Sequence, residues 1–141
     1  MIRIMLRSKI HRATVTAADL DYEGSISIDQ ALLDASGIVE WEQVQVVDLT
    51  NGARLETYVI PAPAGSGEIQ INGAAAHLVD PGDKVIIMAY EGVPEDRLAE
   101  HHPRIMLVDE HNRVASISST NLVNGAHPVE SPGPVVQGAA R

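Results

Sequence analysis

Gly24 and Ser25 are neighbouring residues that could together break the chain that contains them. Glycine has no Cβ, so it can adopt backbone angles closed to other residues and lets a hydroxyl approach its carbonyl carbon. The pair opens a predicted strand, whereas Ser66 and Gly67 lie between two turns. A strained peptide bond after Gly24 would be poised for attack by the Ser25 hydroxyl, although the dipeptide by itself favours an ordinary loop.

Three polar motifs elsewhere in the chain carry groups that bind acids. They are Lys9-Ile10-His11-Arg12, Asn51-Gly52-Ala53-Arg54-Leu55-Glu56-Thr57-Tyr58 and Ile71-Asn72-Gly73-Ala74-Ala75-Ala76-His77. Lys9 and Arg54 are cations available to carboxylates, and arginine offers a planar bidentate fork. Asn72 places an amide beside small residues, so a ligand could approach the backbone closely. Each motif alone also has a structural explanation: a surface cation, a hairpin strand, or a loop that enters a helix.

Short strands are predicted to position these groups. Period-two alternation and β-branched runs predict strands over residues 2–6, 13–16, 25–28, 44–49, 55–60, 68–71, 84–90 and 104–108. The Asn51-Gly52 turn signal predicts a hairpin. Alternation along the strand that follows places Arg54, Glu56 and Tyr58 on one face and Thr57 on the other.

Helical signals are brief. Residues 29–36 have Asp29 as an N-cap and Gly37 as a stop signal, residues 74–79 predict one or two turns, and residues 94–102 begin with proline and acids and end with histidine. Many short strands with regular turns predict a mainly β barrel or sandwich with a few short helices.

The composition is that of one small domain. The chain has 141 residues, no Phe, one Trp and three Tyr, so its core must be filled by aliphatic residues. We expect a domain over residues 1–117 and a flexible C-terminal tail over residues 118–141, where the composition shifts. Trp41 is expected to be a packing or interface residue.

Charge and residue types exclude several functions. The net charge is −9 without a basic stripe, which argues against a nucleic-acid partner. The apolar runs are too short to span a membrane and there is no signal-peptide core, so we expect a cytoplasmic protein. With no Cys, and with His101, His102 and His111 outside the usual zinc spacings, we expect no metal.

Five segments, taken together, resemble the aspartate 1-decarboxylase family, whose members make β-alanine for pantothenate synthesis. The segments are residues 5–13, 20–29, 51–58, 72–77 and 81–87, in the family's order and spacing. The resemblance covers roughly Met1 to Val114 and is loose from Gly92 to Arg113. It implies a lyase with a six-stranded double-psi β-barrel, assembled as a homotetramer with active sites between subunits.

The resemblance also implies a zymogen that cleaves itself. The Ser25 hydroxyl would attack the Gly24 carbonyl to give an ester, and β-elimination followed by hydrolysis would release ammonia and leave a covalent pyruvoyl group. The products would be chains of residues 1–24 and 25–141. Thr57 matches the residue that stabilises the oxyanion of this rearrangement.

Decarboxylation of an amino acid leaves a carbanion that needs an electron sink. The resemblance implies that the pyruvoyl group forms a Schiff base with L-aspartate, in place of pyridoxal phosphate, and that Tyr58 donates the proton that replaces CO2. Substrate binding would fall to Lys9, Arg54, Thr57, Asn72, Gly73, Ala74 and Ala75, with His11, Tyr22 and Ile86 as further pocket residues. A purely structural role for His11 is equally open.

Two alternatives remain from the residues. The pocket motifs do not measure substrate length, so a pyruvoyl decarboxylase of another acidic amino acid, such as glutamate, fits them as well. The second alternative is a β-barrel that never cleaves and only binds ligands or partners. Retention of Gly24, Ser25, Thr57 and Tyr58 argues against this second alternative.

Overall fold

The computed structural model describes residues 1–118, and the predicted tail beyond Ser118 lies outside this part. The fold is mainly β, as predicted. Its strands are β1 (Ile2–Thr14), β2 (Ala17–Asp19), β3 (Ser25–Asp29), β4 (Gln43–Asp48), β5 (Arg54–Ala62), β6 (Ile69–Asn72), β7 (Lys84–Pro94), β8 (Arg104–Val108) and β9 (Val114–Ser118). One α-helix, α1 (Gln30–Ser36), and two 3₁₀ helices (Gly73–His77 and Glu95–Glu100) complete it.

The first strand corrects the sequence prediction. Residues 2–6 and 13–16 were expected to be separate strands, but β1 runs through both because β7 pairs with it along its whole length. Bulges after Leu6 and after His11 absorb the irregular residues between them, and Arg12 has a φ of +66°. Strands β2 and β9 were not predicted, and the two expected later helices are short 3₁₀ turns.

Helix α1 begins and ends where the sequence predicts. The Asp29 carboxylate accepts a hydrogen bond from the Ala31 N–H, and Gly37 ends the helix in the left-handed conformation. Burial alone would raise the pKa of Asp29. The pKa is lowered overall because the N–H groups of Gly67, Ala31 and Gly65 donate to this carboxylate.

The strands form a single nine-stranded sheet in the order β2-β6-β3-β5-β4-β7-β1-β8-β9. Strands β4 and β5 form the predicted hairpin, whereas β3 pairs with β5 in parallel and with β6 in antiparallel fashion. Strands β1 and β2 are separated only by Val15 and Thr16, yet β1 pairs with β7 and β2 pairs with β6. One nearly continuous segment therefore occupies two distant places in the strand order.

An aliphatic core lies on one face of this sheet. Ile10, Ile26, Ile28, Val46, Val59, Ile69, Ile71 and Ile87 are all fully buried there. Burial of a branched aliphatic side chain contributes about 1.5 to 3 kcal/mol each, which explains how a chain without Phe holds this fold. In the described part of the chain, no helix is both long and apolar enough to cross a bilayer.

Candidate active site

Ser25 is the first residue of β3 and lies at the boundary between solvent and core. Its side chain is 1% exposed, while Tyr22, Glu23 and Gly24 just before it are exposed. The Ser25 Oγ–H donates to the Glu23 carbonyl at 3.0 Å. The bond between Gly24 and Ser25 therefore joins a surface turn to a buried strand.

Asn72 holds the other side of the Ser25 hydroxyl. It pairs directly with Ser25 across the β3–β6 ladder, is fully buried, and its Nδ2 donates to Ser25 Oγ at 3.0 Å. The same Nδ2 donates to Ser27 Oγ at 3.1 Å, and Gln70 Nε2 donates to Asn72 Oδ1 at 2.8 Å. Asn72 stands at the N-cap of a 3₁₀ helix but does not cap it, because its amide is engaged by these three side chains.

Gly73 packs against Gly24, backbone to backbone. Gly73 has a φ of +75°, and a Cβ on it would lie 2.6 Å from the Gly24 Cα and 2.8 Å from the Gly24 nitrogen. Gly24 itself does not have a positive φ, so the left-handed backbone angle at this contact is that of Gly73. Ala74 and Ala75 follow in the 3₁₀ helix, exposed and half-buried respectively.

A second group of predicted residues lies across the sheet face that is opposite the core. Directly paired residues share a face, and one row of pairs runs from His11 through Ile86 and Val47 to Arg54. Lys9 lies in the next row on the same face, opposite Met88. His11 and Ile86 are buried, at 1% and 8% exposure, whereas Arg54 is exposed.

Burial changes the electrostatics of Lys9. Its side chain is half-buried, and removal from water lowers its pKa, because the charged ammonium loses hydration. No hydrogen bond or ion pair joins this ammonium to another residue in the range 1–118. A carboxylate that reached Lys9 would therefore meet an uncompensated cation.

Strand β5 joins the two groups. Its alternation places Tyr58 on the outer face with Arg54 and places Thr57 on the core face, where it pairs with Val44. Ile26 pairs with Val59, so this parallel register, continued by one residue, brings Ser25 level with Tyr58. The Tyr58 ring stacks on Trp41, with centroids 5.5 Å apart and an interplanar angle of 21°.

Lys9 and Ser25 lie on strands that are not neighbours in the sheet. Strands β5, β4 and β7 lie between them in the strand order, and no hydrogen bond or ion pair joins the Lys9 ammonium to Ser25 within residues 1–118. A groove of about 460 Å³ on the outer face touches neither. It is lined by Ile4, Glu42, Gln43, Val44, Gln45, Glu56, Tyr90, Glu91 and Gly92.

Asp48 and Asp83 form a buried pair of acids away from Ser25. Asp48 Oδ1 accepts from the N–H groups of Thr50 and Asn51, whereas Oδ2 receives no N–H or O–H donor from residues 1–118. Burial is the largest effect and, with the neighbouring Asp83 carboxyl, raises the pKa of Asp48 to about 6. Within the same range, no three His, Asp or Glu side chains group closely enough to hold a metal ion.

Sequence reasoning missed three residues that shape this site. Gln70 and Ser27 hold the Asn72 amide, and Trp41 supports the Tyr58 ring. Period-two alternation contained part of the signal, because Ser27 follows Ser25 by two positions and Gln70 precedes Asn72 by two. Only the pairing of β3 with β6 shows that the side chains of Ser25, Ser27, Gln70 and Asn72 meet.

Comparison with known proteins gives consistent results. The family described as Aspartate decarboxylase matches residues 1–115. A Corynebacterium efficiens protein named Aspartate 1-decarboxylase is 56% identical over 119 residues, which cover 84% of this chain and 88% of that relative. Proteins of the same name from Carboxydothermus hydrogenoformans and Clostridium beijerinckii are 54% and 55% identical, covering 86% and 84% of this chain and 96% of each relative.

Proposed function

The chain belongs to the aspartate decarboxylase family, and we propose that it is a carboxy-lyase that converts L-aspartate to β-alanine and CO2 with a pyruvoyl group made from its own Ser25. β-Alanine supplies pantothenate synthesis, and cytoplasmic localisation is part of the proposal. The observation that carries it is the placement of Ser25: a buried hydroxyl, held from both sides, directly after an exposed glycine.

Self-processing begins at that hydroxyl. Ser25 Oγ forms a bond to the Gly24 carbonyl carbon, the Gly24–Ser25 peptide bond breaks, and the hydroxyl proton passes to the Ser25 nitrogen, which becomes a free amine. Asn72 Nδ2 at 3.0 Å stabilises negative charge that develops on Oγ. Thr57 is the proposed donor to the oxyanion on the Gly24 carbonyl, and the β3–β5 register, continued by two residues, brings Gly24 level with it.

The ester formed in this way then eliminates. Loss of the Ser25 Cα proton and cleavage of its Cβ–O bond release the Gly24 carboxylate, and hydrolysis of the resulting dehydroalanine gives ammonia and the pyruvoyl group. The site suits a small polar group. The buried Asn72 amide can donate a hydrogen bond to it, and the close packing of Gly73 on Gly24 leaves little room for a larger group. When formed, the pyruvoyl group serves as the electron sink for decarboxylation.

The remaining groups bind the substrate and move one proton. We assign the substrate carboxylates to the Lys9 ammonium and the Arg54 guanidinium, with hydrogen bonds from Asn72 and from the backbone of residues 73–75. Tyr58, level with Ser25 and steadied by Trp41, donates the proton to the α carbon after CO2 leaves. Tyr22, His11 and Ile86 complete the proposed pocket.

A homotetramer is part of this proposal, with each site completed by residues of two neighbouring copies. Lys9 and Ser25 lie on strands that are not neighbours in the sheet, and no hydrogen bond joins their side chains within residues 1–118. A neighbouring copy that presented its outer face to Ser25 would bring the cations to the substrate. The exposed Leu20, Tyr22, Val39 and Trp41 give such a contact apolar area.

A six-stranded double-psi barrel is the finer fold that we propose. Counting β1 and β2 as one long strand, the order becomes β1/β2-β6-β3-β5-β4-β7 and returns to β1. This closure is supported by the Thr16 N–H, which donates to the Ile69 carbonyl on β6, and by the Val15 N–H, which donates to the Asp83 carbonyl beside β7. Strands β8 and β9 would extend from this barrel.

Denaturing mass spectrometry of the purified full-length chain tests the proposal. Two fragments, residues 1–24 and a longer chain that starts with a pyruvoyl group, are expected from the wild type and from the exposed-site control Ser116→Ala. Ser25→Ala should stay intact and inactive. A wild-type chain that stays intact after prolonged incubation favours a non-cleaving binding module. Assays of both acids, with detection of β-alanine and 4-aminobutyrate, separate an aspartate enzyme from a glutamate enzyme.

A further inference from the structure

The amide of Asn72 is held in one orientation by a donor. A carboxamide has one accepting oxygen and two N–H donors, so its direction is set by the partners around it. Asn72 is fully buried, so bulk solvent does not reach its amide. Gln70 Nε2 donates to its Oδ1 at 2.8 Å, which leaves both Nδ2 hydrogens for Ser25 Oγ and Ser27 Oγ.

We propose that Gln70 is a positioning residue for self-processing, because its donated hydrogen bond turns the N–H groups of Asn72 toward the Ser25 hydroxyl. This inference rests on the proposed cleavage at Ser25. Neither Gln70 nor Ser27 would touch the substrate. Gln70 acts through Asn72, and Ser27 accepts the second amide hydrogen.

The orientation matters for the state of the nucleophile. With Nδ2 facing Ser25, the Oγ accepts from Asn72 and its own hydrogen points to the Glu23 carbonyl, so one oxygen lone pair stays available for the Gly24 carbon. If the amide were reversed, its Oδ1 would face Ser25 and compete for the hydroxyl hydrogen. Asn72 would then offer no donor to the Oγ as negative charge develops during the attack.

The arrangement predicts that donors and acceptors at position 70 have opposite effects. Gln70→Lys keeps a donor toward Asn72 Oδ1, and the half-buried position lets the long side chain reach solvent. Gln70→Glu is an acceptor when ionised, so it draws the Nδ2 group to itself and reverses the amide. Gln70→Leu can neither donate nor accept, so no hydrogen bond from position 70 orients the Asn72 amide.

The experiment measures the rate at which freshly purified, uncleaved chain yields its two fragments, by denaturing mass spectrometry at pH 5 to 8. At pH 8, Gln70→Glu should process at least about tenfold more slowly than the wild type, the equivalent of one well-placed hydrogen bond, and Gln70→Lys within about twofold of it. As pH falls, the Gln70→Glu rate relative to wild type should rise, because the protonated carboxyl can donate again. A packing role would give no such pH profile.

Gln30→Glu and Gln30→Lys are the matched controls, since Gln30 lies on α1 and bonds only to Asp34 among the described side chains. Both should process like the wild type. Equal rates for Gln70→Glu and Gln70→Lys, or a pH profile of Gln70→Glu parallel to wild type, would overturn the inference. If Gln70→Glu does not fold, the comparison of Gln70→Leu with Gln70→Lys takes its place. Slower processing of Gln70→Leu supports the inference, and equal rates of the two variants overturn it. A wild type that never cleaves contradicts the proposed function instead.

Discussion

Gly73 and Gly24 lie so close that a single methyl group on Gly73 would overlap the backbone of the residue whose carbonyl Ser25 is proposed to attack. A Cβ on Gly73 would lie 2.6 Å from the Gly24 Cα, a backbone atom that cannot rotate away as a side chain would. The position of the bond that is proposed to break therefore depends on a residue far from it in sequence.

Gly73→Ala should slow self-processing by at least about tenfold, because Gly24 must shift to make room. Part of its effect will be general strain, since a non-glycine residue in the left-handed region costs about 1 to 2 kcal/mol. Gly82→Ala is the matched control: its φ is +94°, but a Cβ there meets nothing within 4 Å. Thermal unfolding in a Ser25→Ala background should show that both variants lose stability. Fragment formation in the otherwise wild-type chain should show that only Gly73→Ala slows processing. Equal processing rates would contradict the role of the contact.

Trp41→Ala should lower kcat for decarboxylation without changing processing. An aromatic pair is worth about 0.5 to 1.5 kcal/mol, so loss of the stack under Tyr58 should reduce kcat about 2- to 10-fold. Trp41→Phe should recover most of that loss. Val39→Ala, also exposed and nearby in the chain, serves as the control, and an equal kcat loss in both variants would show that the stack has no special part in catalysis.

Asp48→Asn should make the protein more stable at neutral pH and flatten its pH dependence. The pKa of Asp48 is raised from 3.8 to about 6, so folding favours the protonated form. The stability from this group is full below the unfolded-state pKa and is lost as pH rises through about 6. Relative to pH 4, the variant should gain about 2 kcal/mol over wild type at pH 8, since one pKa unit is about 1.4 kcal/mol.

Urea unfolding at pH 4 to 8 in a Ser25→Ala background checks this, with the exposed Asp96→Asn as the control. A constant difference between Asp48→Asn and its parent across this range would show that folding does not raise the pKa of Asp48.

Asn112→Ala should destabilise the fold by roughly 3 kcal/mol, because three hydrogen bonds of this buried residue are lost together. The Asn112 amide donates to the carbonyls of Thr14 and Gly67 and accepts from the Thr14 N–H, which ties the turn before β9 to the end of β1. Asn112 has a φ of +59°, so Asn112→Gly separates strain from bonding. Thermal unfolding should show losses of similar size in both variants, and a glycine variant as stable as wild type would refute the bonding account.

Local signals in the sequence were sufficient where neighbours in the chain decide the structure. Asp29 and Gly37 mark the two ends of α1, as predicted. Asn51-Gly52 lies in the turn of a hairpin whose register pairs Val47 with Arg54. The alternation that separated Thr57 from Tyr58 also agrees with the structure.

Pairings between distant segments could not be predicted from those signals. That β1 is one strand depends on β7, more than 70 residues later, and the meeting of Ser25 with Asn72 depends on the β3–β6 ladder. The motif that contains Lys9 indicated a cation for a carboxylate, but only the strand order shows that this cation and Ser25 lie on strands that are not neighbours. Resemblance to the family supplied the site residues, while their spatial division into two groups required the structure.

Strand β1 ends ten residues before Gly24 and lies between β7 and β8. After the proposed cleavage, a peptide of residues 1–24 would thus remain embedded in the sheet with no covalent tie to the rest. Unfolding the mature protein would release it into solution, and recovery would become a second-order encounter between two molecules, slower on dilution, whereas the uncleaved precursor folds at a rate independent of concentration. Maturation would therefore make the refolding rate of the protein depend on its concentration.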